Sequence, residues 1–319
     1  MEVTFKIRRF DPDSDNPDSY FQDYNINLDE GSVVLDGLIK IREQIDGTLA
    51  LRCSCRSAIC GSCAMRINGQ AMLACNTKIS DISSNGDPVV VEPPGNMQVI
   101  KDLVVDFQPF WEKIREIEPW LQPAGPEPGP DNEYVAQNKD MLHLSGVMAC
   151  VMCGACVSDC TVLEIDENFL GPAALAKAYR FIGDPRDESD ESRLNKLVDE
   201  GGVWDCTRCM QCVEVCPKEV DPMSRIMAIR DRAMEAGHTD SYGARHAEIF
   251  ADMVEHSGRV DELRLPLKTK GIFNVPEMLK LLPIGLRAQL NGKRPPIFHK
   301  KNPDQENVRR IFERVEKDR

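Results

Sequence analysis

Thirteen cysteines lie in a chain of 319 residues, and most of them fall into short runs whose spacing suits iron. In Cys206-Thr-Arg-Cys209-Met-Gln-Cys212-Val-Glu-Val-Cys216-Pro217, four thiols are separated by two, two and three residues, with proline after the last. This is the spacing of ligands to cubane iron–sulfur clusters. A second copy runs through Cys150, Cys153, Cys156 and Cys160. Where two such runs share a chain, the fourth cysteine of each ligates the other cluster. The expected ligand sets are therefore Cys150, Cys153, Cys156 and Cys216 for one [4Fe–4S] cluster, and Cys160, Cys206, Cys209 and Cys212 for a second.

A third set stands upstream, in Leu51-Arg-Cys-Ser-Cys55-Arg-Ser-Ala-Ile-Cys60-Gly-Ser-Cys63. Cys55, Cys60 and Cys63 have intervals of four and two, the spacing of a [2Fe–2S] loop, and the hairpin signal Asn68-Gly69 returns the chain to Cys75 as fourth ligand. Cys53 does not fit this arithmetic and reads as a spare thiol, buried or redox-silent. Structural zinc is the competing reading for all three sets. Zinc sites ordinarily pair two short intervals, without a third cysteine at the same spacing or a four-then-two loop.

The rest of the chain must position these thiols. Its length suits about two domains with ordinary cores, so cysteine is not needed as a staple. Met1 to Phe10 is charged and unlike a secretory leader, which implies a reducing, cytoplasmic setting that disfavours disulfides. No uncharged apolar run of about eighteen residues offers a bilayer span. A net charge of −13, from 39 basic and 52 acidic residues, argues against general nucleic-acid binding. Glycine loops for nucleotides and nucleophile motifs are missing, and none of the five histidines stands in a zinc-protease pattern, so no organic catalysis is expected on this chain.

Val3 to Phe10 alternates as a half-buried strand, and Tyr20 to Leu28 offers another after a polar loop. Val33 to Ile41 has helical spacing with Ser32 as N-cap, and Asp87 to Pro94 reads as the last strand. Gln122-Pro-Ala-Gly-Pro-Glu-Pro-Gly-Pro130 suits neither helix nor central strand and marks a boundary. Beyond it, Pro172–Phe181, Ser192–Val198, Pro222–Met234 and Ala244–Val254 carry helical periodicity. The fold class is α+β, divided into 1–118, a linker at 119–140, a helical two-cluster part at 141–236 and a helical extension at 237–319.

The cysteine loop, the Asn-Gly hairpin and the run Val-Ile-Lys-Asp-Leu-Val-Val-Asp ending at Asp106 resemble the iron–sulfur subunits of succinate dehydrogenases and fumarate reductases over about residues 1 to 230. The resemblance implies an N-terminal β-grasp plant-type ferredoxin domain and an all-α domain like two-cluster bacterial ferredoxins. It further implies electron transfer between a flavoprotein, which holds FAD and the succinate or fumarate site, and a quinone-reducing membrane subunit. The flavoprotein is expected at the N-terminal domain and the acceptor subunit at the C-terminal domain. Attachment to the inner face of the cell membrane would then run through partners.

Three departures from that family bear on the acceptor. An apolar residue usually stands where this chain has Cys209, giving a [3Fe–4S] centre, so a second [4Fe–4S] cluster is expected here. Proline and a tryptophan-containing stretch usually follow the cysteine matching Cys160, and histidine the one matching Cys206. This chain has Thr161 and Thr207, so no quinone-site residue is carried over. The tail, with Leu263–Gly271 and Met278–Pro296, is similar to iron–sulfur subunits of heterodisulfide reductases and of non-classical succinate dehydrogenases and thiol-linked fumarate reductases, where a cysteine-rich subunit is the next carrier. It reads as amphipathic helix packing on its own domain or on a partner, or else binding a membrane surface, with Lys293, Arg294, Lys300 and Lys301 beside Ile297 and Phe298. A metal-stabilised scaffold is the alternative of another class.

Overall fold

The computed structural model describes every residue except Asn16, Ser84, Asn85, Ile272, Arg294, Pro295, Ile297, Phe298, His299 and Arg319, and the side chain of Asp318. The tail residues Arg294, Ile297 and Phe298 thus lie outside the described residues. The chain forms two compact units, Met1–Arg232 and Ala233–Arg319.

The first unit begins with β1 (Glu2–Arg9) and β2 (Tyr20–Asn27), then α1 (Val34–Gln44), the hairpin β3 (Ala64–Ile67) and β4 (Gln70–Leu73), and β5 (Val89–Glu92). These strands make one sheet in the order β2-β1-β5-β3-β4, with β1 and β5 parallel and the other pairs antiparallel. Alternation in β1 places Val3, Phe5 and Ile7 in the core. A Cβ at Gly37 of α1 would come within 2.3 Å of the Phe5 ring, so only glycine lets helix and strand approach this closely. Ser32 is not the cap of α1. Its hydroxyl donates to the Asp29 carbonyl, while the Val33 N–H at the cap position donates to Asp36 three residues on. Nor is β5 the last strand, because β6 (Val99–Lys101) and β7 (Val104–Val105) follow as a two-stranded ribbon.

That ribbon explains the one polar member of the β1 core face. Asp102, at its turn, accepts hydrogen bonds from Arg9, Phe10 N and Ala50 N, and both Arg9 and Asp102 are buried. Arg9 also donates to Asp46 and Tyr24. A buried charge is tolerable only when so paired.

After β7 the regular elements described in this unit are helices, the ones that matter here being α2 (Gln108–Glu116), α3 (Ala155–Ser158), α4 (Gly171–Ile182), α5 (Asp190–Leu197), α6 (Gln211–Glu214) and the start of α7 (Pro222–Glu235). The proline-rich stretch 122–130 has no helix or strand. Nearly all of α4 is buried, from Ala173 to Ile182, and it is the centre of this part. Arg193 of α5 is buried against Asp187 and donates to the carbonyls of Ile117, Glu118 and Trp120, which ties the end of the α2 segment to the helices.

Sheet and helices are sewn together around α3. The Asn96 amide donates to the carbonyls of Val157, Ser158 and Cys160, Gly95 N to the Ser158 hydroxyl, and Ala71 N to Asp159. Lys113 donates to the carbonyls of Glu167 and Phe169.

The second unit contains α8 (Tyr242–Ser257), α9 (Arg264–Lys270), α10 (Val275–Leu290) and α11 (Gln305–Asp318). Ser241 caps α8 by accepting from Ala244 N, and Gly258 ends it in the left-handed conformation. Helices α9 and α11 pack on α8, and α10 meets α9. No described helix is long and apolar enough to cross a membrane.

Candidate iron–sulfur sites

The loop between α1 and β3 folds back on its own thiols. Left-handed backbone at Arg56, Ala58 and Gly61 turns successive N–H groups inward. The Cys55 sulfur accepts from the N–H groups of Ser57, Ile59 and Cys60 at 3.2–3.4 Å. Ala58 N donates to the Cys75 sulfur, and the Cys60 sulfur pairs with Cys55 N and the Ser62 hydroxyl. Backbone donors aimed at sulfur stabilise negative charge there, as an iron-bound thiolate requires. The hydrogen bonds of Ser62 and Cys55 pull the Cys60 thiol down to about 6. Burial, and then Cys75, push Cys63 up to about 12. Cys53 is partly buried against the sheet-domain core.

The two downstream runs adopt one conformation twice. Met152 and Arg208 are left-handed, with φ of 55° and 59°, as are Gly154 and Met210, with φ of 80° and 70°. Each run then enters a one-turn helix carrying its third cysteine, Cys156 in α3 and Cys212 in α6, and these helices pack together. The fourth cysteine follows each helix and hydrogen-bonds back to it, Cys160 N to the Val157 carbonyl and Cys216 N to that of Val213.

The thiols are grouped across the runs. Burial raises Cys153, whose neighbouring thiols include Cys150 and Cys216. Cys156 is raised well above the usual range by burial and then by Cys153, Cys150, Cys212 and Cys216. Burial likewise raises Cys160, beside Cys209 and Cys206. Cys212 is pushed up to about 12 by burial and by Cys206, Cys160 and Cys209. Cys216 thus stands with the upstream run and Cys160 with the downstream one. One small cavity is lined by Cys150, Cys153, Cys156 and Cys216 together. Among the described residues, no three or more His, Cys, Asp or Glu are gathered so as to hold a single metal ion.

Cys209 is exposed and differs from its neighbours. Burial works to raise it, but hydroxyls of Thr161 and Thr207 and backbone N–H groups at Gln211 and Thr161 outweigh that and hold it below the usual thiol range. The two threonines thus stand beside the Cys209 thiol. Arg230 of α7 is a second feature of this site without a spacing signal. It is buried, stacks on Trp204, and donates to the carbonyls of Val203, Trp204 and Cys206 at 2.7–3.1 Å. Burial weakens its hold on the proton, and the Cys206 thiolate strengthens it.

Gly61 joins the first site to the second. A Cβ there would lie 2.7 Å from the Cys153 Cβ and 3.2 Å from the Val151 carbonyl, and its φ of +72° is strained for any other residue. Gly61→Val is expected to destabilise the chain by about 3 kcal/mol, combining the left-handed penalty with displacement of Cys153. Thermal unfolding and loss of cluster absorbance check it. Sequence spacing marked Gly61 as part of a cysteine loop, while the contact with Cys153 is a property of the fold.

Residues 4–112 match the family described as a 2Fe-2S iron-sulfur cluster binding domain, and residues 146–220 that described as a 4Fe-4S dicluster domain. The chain is 40% identical over 235 residues to succinate dehydrogenase [ubiquinone] iron-sulfur subunit 1, mitochondrial, of Oryza sativa subsp. japonica, covering 73% of this chain and 83% of that protein. It is 34% identical over 281 residues to the 8-methylmenaquinol:fumarate reductase iron-sulfur subunit of Wolinella succinogenes, covering 86% of each. A chain of the Mycobacterium smegmatis Sdh1 complex superposes with a TM-score of 0.65 at 26% identity, covering 75% of this chain and 98% of that one. With the mixed sheet, the helical part and the grouped thiols, these likenesses lead to one conclusion: the chain belongs to the iron–sulfur subunits of succinate dehydrogenases and fumarate reductases, the electron-transfer subunits of those oxidoreductases.

Proposed function

We propose that the chain relays electrons through three centres in series. Cys55, Cys60, Cys63 and Cys75 hold a [2Fe–2S] cluster. Cys150, Cys153, Cys156 and Cys216 hold a [4Fe–4S] cluster, and Cys160, Cys206, Cys209 and Cys212 hold a second in place of the family's usual [3Fe–4S]. The grouping of Cys216 with the upstream run and Cys160 with the downstream run carries this reading. When bound, the clusters supply one-electron oxidation and reduction. The chain's own part is to fix the thiolates, exclude water from Cys156, Cys160 and Cys212, and aim N–H groups at sulfur.

In this reading residues 1–118 form a β-grasp [2Fe–2S] domain, 119–140 a linker, 141–236 a two-cluster ferredoxin-like domain and 237–319 a helical extension. A flavoprotein carrying FAD docks at the first domain. The acceptor subunit, a membrane anchor or a cysteine-rich protein, docks near Cys209, and the complex is peripheral on the cytoplasmic face of the cell membrane. Cys209, Thr161 and Thr207 favour the cysteine-rich acceptor, since they replace the apolar, proline and histidine features of quinone-reducing members. Co-purification separates the two: a haem-bearing anchor without a cysteine-rich subunit would sustain the quinone reading.

Anaerobically purified protein is expected to contain about ten iron and ten acid-labile sulfide per chain. Zinc without sulfide would overturn the relay in favour of a metal-stabilised scaffold.

A further inference from the structure

The second unit carries a feature that no step of electron transfer uses. Val275, Leu279, Leu282, Leu286 and Leu290 recur at intervals of four, three, four and four along α10, so they share one face. All five are 58–79% exposed. In a self-contained domain such a stripe is ordinarily buried against the core. No described residue of α10 is buried, and of its apolar residues only Leu281 and Ala288, on the side away from the stripe, and Met278, on its flank, are half-buried.

Charge selects what covers this stripe. From Leu263 to Lys301 the chain holds nine lysines and arginines and a single carboxylate, Glu277, for a net charge of +8. The whole chain is −13, so the remaining residues carry −21. Glu277 is itself neutralised, accepting from Lys270 at 2.7 Å and from Lys280. Lys280 and Arg287, seven residues apart, lie along one border of the apolar stripe and are exposed. An apolar face edged by cations, within an otherwise acidic protein, matches the acyl and headgroup layers of an anionic bilayer surface. A second copy of this acidic chain offers no such match.

We propose that α10 is an interfacial helix that lies in the headgroup region of an anionic membrane, inserting Val275, Leu279, Leu282, Leu286 and Leu290 and setting Lys280 and Arg287 against lipid phosphate. The helix is too short and too charged to span the bilayer, so contact is from one face. This contact is made by the chain itself, in addition to any made through partners, and does not depend on the cluster assignment.

The test is sedimentation of the full-length, cluster-loaded chain with vesicles of phosphatidylglycerol and phosphatidylcholine, against vesicles of phosphatidylcholine alone. Binding to the anionic vesicles that weakens with salt is the expected result. Leu282→Gln with Leu286→Gln is expected to lower the partition coefficient by about tenfold for each change. Lys280→Gln and Arg287→Gln are expected to lower it about fivefold each. Helical circular dichroism and thermal unfolding equal to wild type establish that these exposed substitutions leave the fold of the second unit intact. Equal binding to both vesicle types, binding unmoved by the leucine changes, or no binding to either overturns the proposal. Loss of a co-purifying subunit from the leucine variant, without vesicle binding by wild type, would instead assign the face to a protein.

Discussion

Cys209→Ala is expected to convert the last centre from four irons to three. Under the proposed assignment, removal of this one ligand frees one corner of a cubane still held by Cys160, Cys206 and Cys212. Iron should fall from about ten to about nine per chain, and the oxidised variant should gain a three-iron EPR signal that wild type lacks. Its potential should rise on the order of 100 mV, a modest part of the range open to iron–sulfur centres. Electrons would then rest more readily on the last centre and leave it less readily for a low-potential acceptor. An intense three-iron signal from oxidant-protected wild type would contradict a second cubane.

Arg230→Met should act on the same centre from behind. The substitution removes every hydrogen bond that the guanidinium makes to the carbonyls of Val203, Trp204 and Cys206. Buried acceptors left without donors cost about 1–3 kcal/mol each, and a loss of about 3 kcal/mol is expected, visible in thermal unfolding. The second effect is electrostatic. A positive charge beside Cys206 stabilises the reduced, more negative centre, so its loss should lower the potential by on the order of 50 mV. Arg230→Lys retains charge without the planar fork, so it should recover the potential more than the stability. If redox titration finds the potential unmoved in Arg230→Met, the arginine serves only to hold the loop.

The difference between these two residues shows what a sequence can announce. Cys209 is legible because cluster-binding cysteines recur at intervals fixed by backbone reach, as the Asn68-Gly69 turn is legible from its residue types and four of the helices from their apolar periodicity. Arg230 lies beyond Cys216, and its partners are main-chain carbonyls near Cys206, which carry no residue identity. Asn96 and Arg193 are hidden for the same reason, each joining backbone segments far apart in the chain. Thr161 and Thr207 read first as the absence of family features, whereas in the fold they stand beside the Cys209 thiol and favour its ionised form. The β6–β7 ribbon was obscured by its shortness, since strands of three and two residues show too little alternation to declare themselves.

Gly61 has one more consequence. Where it meets Val151 and Cys153, the contact involves main chain and a Cβ, atoms that no rotamer can move. The interval between the first and second thiol groups is thereby a mechanical constant of the backbone. Side chains elsewhere on the surface can vary freely without detuning it, and this joint is protected from sequence drift by having almost no side chain to change.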